Sequence, residues 1–131
     1  MIKNKFVTYR TPTVLTRKEI NQCKAYIEYV INYYISAGNK SFCVKDLFGY
    51  ETWNWSTDHP DIECIYDAWV RVYTKRYSKK PGYNKDIISE MAYKQAGISL
   101  GYLVKQTARD MKHVIFKIKN PSRWNIIYTV V

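Results

Sequence analysis

Residues 84–111, NKDIISEMAYKQAGISLGYLVKQTARDM, are the stretch around which the rest of the chain is organised. Asn84 suits an N-cap, because its side chain accepts hydrogen bonds from the free N–H groups of a first helical turn. Apolar residues then recur at helical spacing as far as Gly97, which can adopt the left-handed conformation that ends a helix. Ser99 can cap a following helix. The stretch therefore predicts two short helices joined by a tight turn at Gly97.

The second predicted helix has an apolar face and a polar face. Its inward positions follow the helical period and are Leu100, Leu103, Val104, Thr107 and Met111. Its outward side chains can donate to phosphates or, for Gln and Arg, to base edges. The candidate reading residues for DNA are Tyr102, Lys105, Gln106 and Arg109.

A β-hairpin is predicted after this helix, over residues 113–131. Apolar and polar residues alternate with the strand period on both sides of KNPSR, residues 119–123, which is a turn signal. The basic residues here are candidates for contact with a phosphate backbone, and they are Lys112, Lys117, Lys119 and Arg123. Arg123 is also a candidate for the minor groove. A plain sheet edge is the alternative interpretation of the hairpin.

Residues 96–103, AGISLGYL, resemble the core of a motif found in many bacterial helix-turn-helix regulators. The resemblance implies that Gly97 is the turn glycine and that Leu103 is a buried residue of the recognition helix. With the hairpin, the order resembles a winged helix-turn-helix, which places one helix in the major groove of DNA. The spacing from Ala92 to Gly97 is one residue longer than usual, which shifts the first helix. A helical hairpin with a solvated polar face is the alternative.

Residues 41–49, SFCVKDLFG, predict a short strand that runs into a short helix. The predicted core residues of this segment are Phe42, Val44, Leu47 and Phe48. The segment resembles the opening of small winged-helix-like proteins of bacteria and their phages. That resemblance implies that residues 61–79, and not 99–111, form the recognition helix, and the two interpretations stay open.

The clearest helical pattern lies over residues 16–38. Thr16 and Glu19 have the spacing of a capping box at its start. Apolar residues from Ile20 to Tyr34 then recur at helical spacing. Tyrosines on the other face leave open a homodimer formed through this helix.

Together these elements predict one domain over residues 1–131. The fold class is mainly α with a small antiparallel β-hairpin, an α+β winged helix-turn-helix with an additional N-terminal helix. Residues 1–15 are an arm, residues 16–38 the N-terminal helix, and residues 60–131 the winged helix-turn-helix unit. A chain of 131 residues is long enough to bury a core without disulfides.

The net charge of +10 is unevenly distributed. Residues 71–131 contain thirteen Lys and Arg against three acidic residues, whereas residues 46–70 contain six acidic residues and no Lys or Arg. Positive charge neutralises phosphates, so the basic half predicts double-stranded DNA as the partner. In the acidic segment, Trp53 and Trp55 indicate either a protein contact or side chains that close the edge of the core.

Neither catalysis nor a cofactor is expected. His59 and His113 have no nucleophile at a motif spacing, and no phosphate-binding glycine loop is present. A metal site formed by Cys43, His59 and Cys64 would match no zinc spacing. The three cysteines are expected to be reduced thiols of a cytoplasmic protein, and no apolar run reaches the roughly 20 residues that span a membrane.

The expected function is that of a small sequence-specific DNA-binding protein, a transcription regulator encoded by a phage or mobile element. Two alternatives stay open. One is a protein-interaction module, such as a phage-encoded inhibitor of a host protein. The other is an RNA-binding protein whose exposed tyrosines stack on bases.

Overall fold

The computed structural model describes residues 14–49, 58–122 and 125–131. Its elements, in chain order, are α1 (Arg17–Ser36), β1 (Ser41–Phe42), α2 (Val44–Phe48), a 3-10 turn (Pro60–Ile62), α3 (Glu63–Tyr77), α4 (Lys85–Asp110), β2 (Phe116–Ser122) and β3 (Asn125–Val130). The described chain is mainly helical with a small antiparallel sheet, which confirms the predicted α+β class. Most of the predicted N-terminal arm lies outside the described residues.

Helix α4 shows that the predicted turn at Gly97 is wrong. The helix is unbroken over 26 residues, and Gly97 lies near its middle without a positive φ. Ser99, the predicted N-cap, is a buried residue of the helix interior. Apolar side chains are buried both before and after Gly97. Their packing offsets the roughly 1 kcal/mol by which glycine disfavours a helix, so the chain continues straight through.

The turn that joins two helices lies between α3 and α4, over residues 78–84. Gly82 has a φ of 87° there, a conformation that glycine adopts without strain. The Asn84 side chain accepts a hydrogen bond of 2.9 Å from the Ile87 N–H, which confirms the predicted N-cap of α4. The order of helix, turn, helix and hairpin is therefore kept, with its turn at Gly82 in place of Gly97.

Helix α1 begins as predicted. The Thr16 hydroxyl accepts from the Glu19 N–H at 3.1 Å, and the Glu19 carboxylate accepts from the Thr16 N–H at 2.9 Å. The helix ends at Ser36, two residues before the predicted end, and Gly38 then turns the chain with a φ of 101°. Its fully buried residues share one face and are Cys23, Ile27 and Ile31.

The segment over residues 41–49 folds as predicted, with β1 followed by α2. Phe42 and Phe48 are buried, and Val44 and Leu47 pack against them in the same core. The Asp46 carboxylate accepts from the backbone N–H that precedes α2, at 2.9 Å, and so fixes the start of this helix.

The sheet has the order β1-β3-β2, and both pairings are antiparallel. The predicted hairpin is thus present, and β1 extends it. Lys117 lies opposite Thr129, which in turn lies opposite Ser41, so these three residues form a row across one face. Phe42 and Tyr128 belong to the other face and are fully buried, which identifies that face as the inner one.

The hairpin turn lies further along the chain than the KNPSR signal predicts. Strand β2 continues to Ser122, which pairs with Asn125. Between this pair and the pair of Lys119 with Ile127, β2 has one residue more than β3, which is a β-bulge. Pro121 falls in this interval, where its missing N–H removes a donor from the outer edge strand. Lys119 is therefore a strand residue, not a turn residue.

Two clusters of buried side chains hold the helices. The main core joins α1, α3, the sheet and the C-terminal half of α4, and its fully buried members include Ile27, Ile31, Phe42, Ile62, Ile65, Leu103, Val104 and Tyr128. The outer cluster lies between α3 and the N-terminal half of α4 and contains Tyr73, Ile88 and Ala92. Tyr66 and Trp69 pack against both clusters.

Candidate nucleic-acid interface

The structure divides the residues predicted to contact DNA into three groups. Arg109, Lys112, Lys117 and Lys119 are exposed. Tyr102, Lys105 and Gln106 are half-buried, and each already has an interaction within the protein. Arg123 lies outside the described residues. The predicted reading face is therefore reduced to a single exposed residue, Arg109.

The reading face is narrow because the main core covers about half of the circumference of α4 there. Two adjacent rows of residues at a spacing of four are buried, and they consist of Ser99, Leu103 and Thr107 and of Leu100, Val104 and Ala108. The sequence correctly predicts Leu100, Leu103, Val104 and Thr107 as inward. It does not predict Ser99 and Ala108, whose small side chains are compatible with either face.

The outward face of the sheet carries the clearest positive surface of the predicted set. Lys117 and Lys119 are two positions apart on β2, so their side chains project from the same face about 7 Å apart. Neither forms an ion pair with a residue of the described ranges. In the same row, the Ser41 and Thr129 hydroxyls are hydrogen-bonded at 2.8 Å. This face presents two cations beside neutral polar groups and beside the exposed apolar Ile115, and the cations suit phosphate oxygens.

The adjoining end of α4 is held to the rest of the fold. Asp110 forms an ion pair with Lys24 of α1. Burial raises the pKa of the Tyr128 hydroxyl, and the nearby charge of Arg109 opposes that increase. The Tyr128 hydroxyl has no hydrogen-bond partner among the described residues. Arg109 therefore has one electrostatic effect inside the molecule while its side chain remains exposed.

A second positive surface lies at the other end of α4 and is built on aromatic rings. Trp69, Tyr73, Tyr77 and Tyr83 form a ring ladder, with near-parallel neighbours whose centroids are 5.7, 5.9 and 4.4 Å apart. The first three residues recur every four positions on α3, so their rings share one side of the helix. Tyr83 joins from the turn, and its ring is tilted only 13° from that of Tyr77.

Two cations lie over rings of the ladder. The Arg76 guanidinium lies 5.7 Å from the centroid of Tyr73, and the Lys80 ammonium lies 5.5 Å from that of Tyr77. Lys75, Lys79 and Lys85 are exposed in the same stretch of sequence, at the end of α3 and in the turn to α4. None of these cations forms an ion pair within the described ranges. In the sequence, the four-residue spacing of Trp69, Tyr73 and Tyr77 is the signal that points to these rings.

The two positive surfaces are far apart. They lie at opposite ends of α4, whose 26 residues span about 39 Å at 1.5 Å per residue. A single helix of this length cannot bring both surfaces to one base pair, so they form two separate candidate sites.

The histidines and cysteines have specific partners. His59 Nδ1 lies 3.1 Å from the Tyr26 hydroxyl, and His113 Nε2 lies 3.1 Å from the Asn32 amide oxygen. Cys64 Sγ is 3.4 Å from a second thiol sulfur, that of Cys23. Within the described ranges, no three His, Cys, Asp or Glu side chains are grouped so that they can hold a metal ion. The combination of Cys43, His59 and Cys64 considered from the sequence is therefore not assembled.

No family model matches the sequence, and no match is found among curated proteins or solved structures. No helix of the described ranges has both the length and the apolar character needed to cross a membrane. Trp53 and Trp55, the predicted protein contact, lie outside the described residues.

Proposed function

We propose that the protein binds double-stranded DNA through the outward face of its β-hairpin and the adjoining end of α4. The observation that carries the proposal is the pair Lys117 and Lys119, exposed on one face of β2 without an acidic partner in the described ranges. Lys112 and Arg109 precede the strand and are also exposed. Cations grouped in this way displace the counterions of DNA phosphates, which provides affinity without sequence preference.

The winged helix-turn-helix is the form that we propose for this interface. Its support is the order of α3, turn, α4 and hairpin, together with a lysine-bearing wing. In this arrangement α4 takes the second position of the helix pair, with residues 85–110 in place of the predicted 99–111. Helix α3, which contains most of the alternative recognition helix over residues 61–79, takes the first position.

Transcription regulation by a cytoplasmic, non-catalytic protein remains the proposed role. It requires sequence-specific contact, and Arg109 is the member of the predicted reading face whose exposed guanidinium can donate to guanine O6 and N7. Selection of bound sites from a random duplex pool tests this role, because a regulator enriches a consensus that the Arg109→Ala variant relaxes. A pool that stays random after selection would exclude it.

The backbone contacts are tested by the double variant Lys117→Gln/Lys119→Gln. Duplex affinity measured by fluorescence anisotropy is expected to decrease on the order of tenfold or more for every sequence alike, because two phosphate contacts are lost. Lys18→Gln/Lys45→Gln is the matched control, since both lysines are exposed and neither lies on the hairpin. Equal affinities for the two double variants would contradict the interface. Lysines that only protect an edge strand from pairing would change aggregation and not DNA affinity.

A protein-interaction module is the second candidate, and one observation favours it. Tyr29 and Tyr33 of α1 are 65% and 69% exposed, and their stacked rings lie 6.5 Å apart. Exposed, rigid aromatic rings are typical of protein contacts. We propose that this face binds a second copy of the chain or a host protein. Sedimentation analysis of the Tyr29→Ser/Tyr33→Ser variant separates these cases, because only a homodimer would dissociate in the purified protein.

A further inference from the structure

We propose that the ring ladder and its cations form a second binding site, for unpaired bases of single-stranded nucleic acid. This site is separate from the DNA interface proposed above and does not depend on it. The proposal starts from the graded exposure of the rings. Tyr73 is 8% exposed, Tyr77 is half-buried, and Tyr83 is 39% exposed. The ladder is therefore buried at Tyr73 and accessible to solvent at Tyr83.

The inner rings are rigid because they are part of the fold. The Trp69 indole N–H donates to the Ser99 hydroxyl at 2.9 Å, and Tyr73 packs in the outer cluster with Ile88 and Ala92. Tyr83 stacks on Tyr77 at 4.4 Å and is followed directly by the N-cap of α4. A ring held in this way presents a preorganised surface, so little side-chain entropy is lost when a base stacks on it.

The charges around the ladder identify the occupant. The exposed cations Lys75, Arg76, Lys79, Lys80 and Lys85 all lie within eleven residues, and the nearest acidic residue that follows them is Asp86. A polyanion with flat apolar groups satisfies both the cations and the ring. Single-stranded nucleic acid has this chemistry, because its bases are free to stack while its phosphates contact lysines. In a duplex the base faces are stacked on one another and are not available to Tyr83.

The test compares two variants at position 83. Tyr83→Leu keeps an apolar side chain against Tyr77 but removes the aromatic face, whereas Tyr83→Phe keeps that face. Anisotropy with a labelled thymidine oligonucleotide of about twelve bases is expected to show affinity for Tyr83→Leu reduced by roughly five- to 150-fold. Tyr83→Phe is expected to bind within about twofold of the unmodified protein, since stacking needs no hydroxyl. Lys18→Gln, at an exposed position of α1, is the control for a surface substitution away from the ladder.

Two further measurements make the proposal falsifiable. Thermal unfolding of each variant shows whether the helical hairpin is intact, and Lys79→Gln tests an exposed cation of the turn next to the ladder. Duplex affinity is expected to be unchanged in Tyr83→Leu, which separates a failure here from a failure of the hairpin interface. Unchanged single-strand affinity in both Tyr83→Leu and Lys79→Gln would overturn the proposal. Inhibition by heparin with no effect of Tyr83→Leu would mean attraction by charge alone.

A different observation supports a second, independent proposal: we infer that Cys23 and Cys64 form an oxidisable dithiol. Their sulfurs are 3.4 Å apart and belong to α1 and α3. A disulfide has an S–S length of about 2.05 Å, so the two sulfurs are already within van der Waals contact of one another. Cys23 is completely buried, whereas Cys64 is only partly buried.

The two thiols have different roles in the reaction: Cys64 attacks the external disulfide, and Cys23 then resolves the mixed disulfide. Burial and the contact with Cys64 raise the pKa of Cys23, and Cys64 is the less buried of the two, so it is the thiol that a small disulfide can reach. With a small disulfide such as oxidised glutathione, the Cys64 thiolate attacks one sulfur and releases one glutathione thiolate. The Cys23 sulfur then gives its proton to that thiolate and attacks Cys64, which releases the second glutathione. Two thiols are oxidised, and one external disulfide is reduced.

The reaction is followed by intact mass under denaturing, non-reducing conditions. The unmodified chain is expected to become about 2 Da lighter, while Cys23→Ser accumulates a glutathione adduct at Cys64. The third thiol, Cys43, remains open to alkylation and serves as an internal control. A stable adduct at Cys64 in the unmodified chain, or no reaction while Cys43 reacts, would overturn the proposal.

Discussion

The two halves of α4 belong to different environments. The C-terminal half passes through the main core and contacts α1 and the sheet, and its Leu103 and Val104 are fully buried. The first part of the N-terminal half packs on α3, in an outer cluster whose buried members are Tyr73, Ile88 and Ala92, and Ala96 near the middle of the helix already belongs to the main core. One helix therefore connects a large core of aliphatic and aromatic side chains to a small cluster beside the tyrosines of α3. The C-terminal half is expected to be more resistant to local unfolding, since local stability follows the number of buried apolar contacts.

The positive surfaces at the two ends of α4 also differ, in whether aromatic rings lie among the cations. At the hairpin end, the cations lie on a sheet backed by the main core, and no exposed aromatic ring lies among Lys112, Lys117 and Lys119 within the described ranges. At the other end, beside the turn between α3 and α4, cations lie over aromatic rings. A flat array of cations suits a rigid duplex backbone, whereas rings among cations suit unpaired bases. This contrast is the reason for proposing two nucleic-acid sites of different kinds.

The largest expected effect is on the free energy of unfolding, and it compares the two halves directly. Leu103→Ala is expected to destabilise the protein by about 3–5 kcal/mol, because it leaves a cavity where no solvent reaches. Ile88→Ala, at a 7% exposed position in the outer cluster, is expected to cost about 2 kcal/mol. Urea denaturation measures both values. An Ile88→Ala cost as large as that of Leu103→Ala would show that the two halves are equally buried and break the comparison.

Trp69 links the two halves, and the next prediction concerns its hydrogen bond. Ser99→Ala removes the acceptor of the Trp69 N–H and leaves that donor unsatisfied in a half-buried site. The expected loss of stability is about 1–3 kcal/mol. A double-mutant cycle with Trp69→Phe is expected to give a coupling of at least about 0.5 kcal/mol. Additive effects would mean that the bond does not connect the halves.

Gly97 lies between the halves, and its substitution tests whether the helix is continuous. A Cβ at Gly97 would meet no atom within 4 Å, and the backbone there is helical. Gly97→Ala is therefore expected to stabilise the protein by about 0.5–1 kcal/mol, because alanine favours a helix and restricts the unfolded chain. Gly82→Ala is the matched control. It is expected to destabilise, since Gly82 has a φ of 87°. Destabilisation by Gly97→Ala would restore the turn predicted there.

These glycines show what local sequence signals can and cannot decide. The capping residues Thr16 and Asn84 act on backbone groups within three positions, so their roles are visible in sequence and are confirmed. The alternation in the hairpin is visible for the same reason. A glycine permits a turn without requiring one. Whether Gly97 turns the chain depends on burial of residues around it against α1 and α3, and no local pattern contains that information.

The candidate sites also differ in how far local sequence patterns predict them. Exposure of Lys117 and Lys119 follows from strand alternation and is confirmed. The ring ladder is only partly visible, because Tyr83 joins it through a turn and not through a periodic spacing. The thiol pair joins residues 41 positions apart, which only the packing of α1 on α3 brings together. Long-range packing therefore decides the features that sequence analysis does not find.

The smallest expected effect is on the salt dependence of binding. It tests the comparison most directly, because one variant at each end of α4 is expected to affect a different nucleic acid. The dependence of log affinity on log salt has a slope of about −0.9 per phosphate contact for duplex DNA and about −0.7 for single strands. Lys119→Gln at the hairpin end is expected to reduce the duplex slope by about 0.9 and to leave the single-strand slope unchanged. Lys79→Gln at the turn end is expected to do the reverse, with a change of about 0.7. If both variants alter both slopes alike, the chain has one diffuse positive surface, and the division into two sites would be wrong.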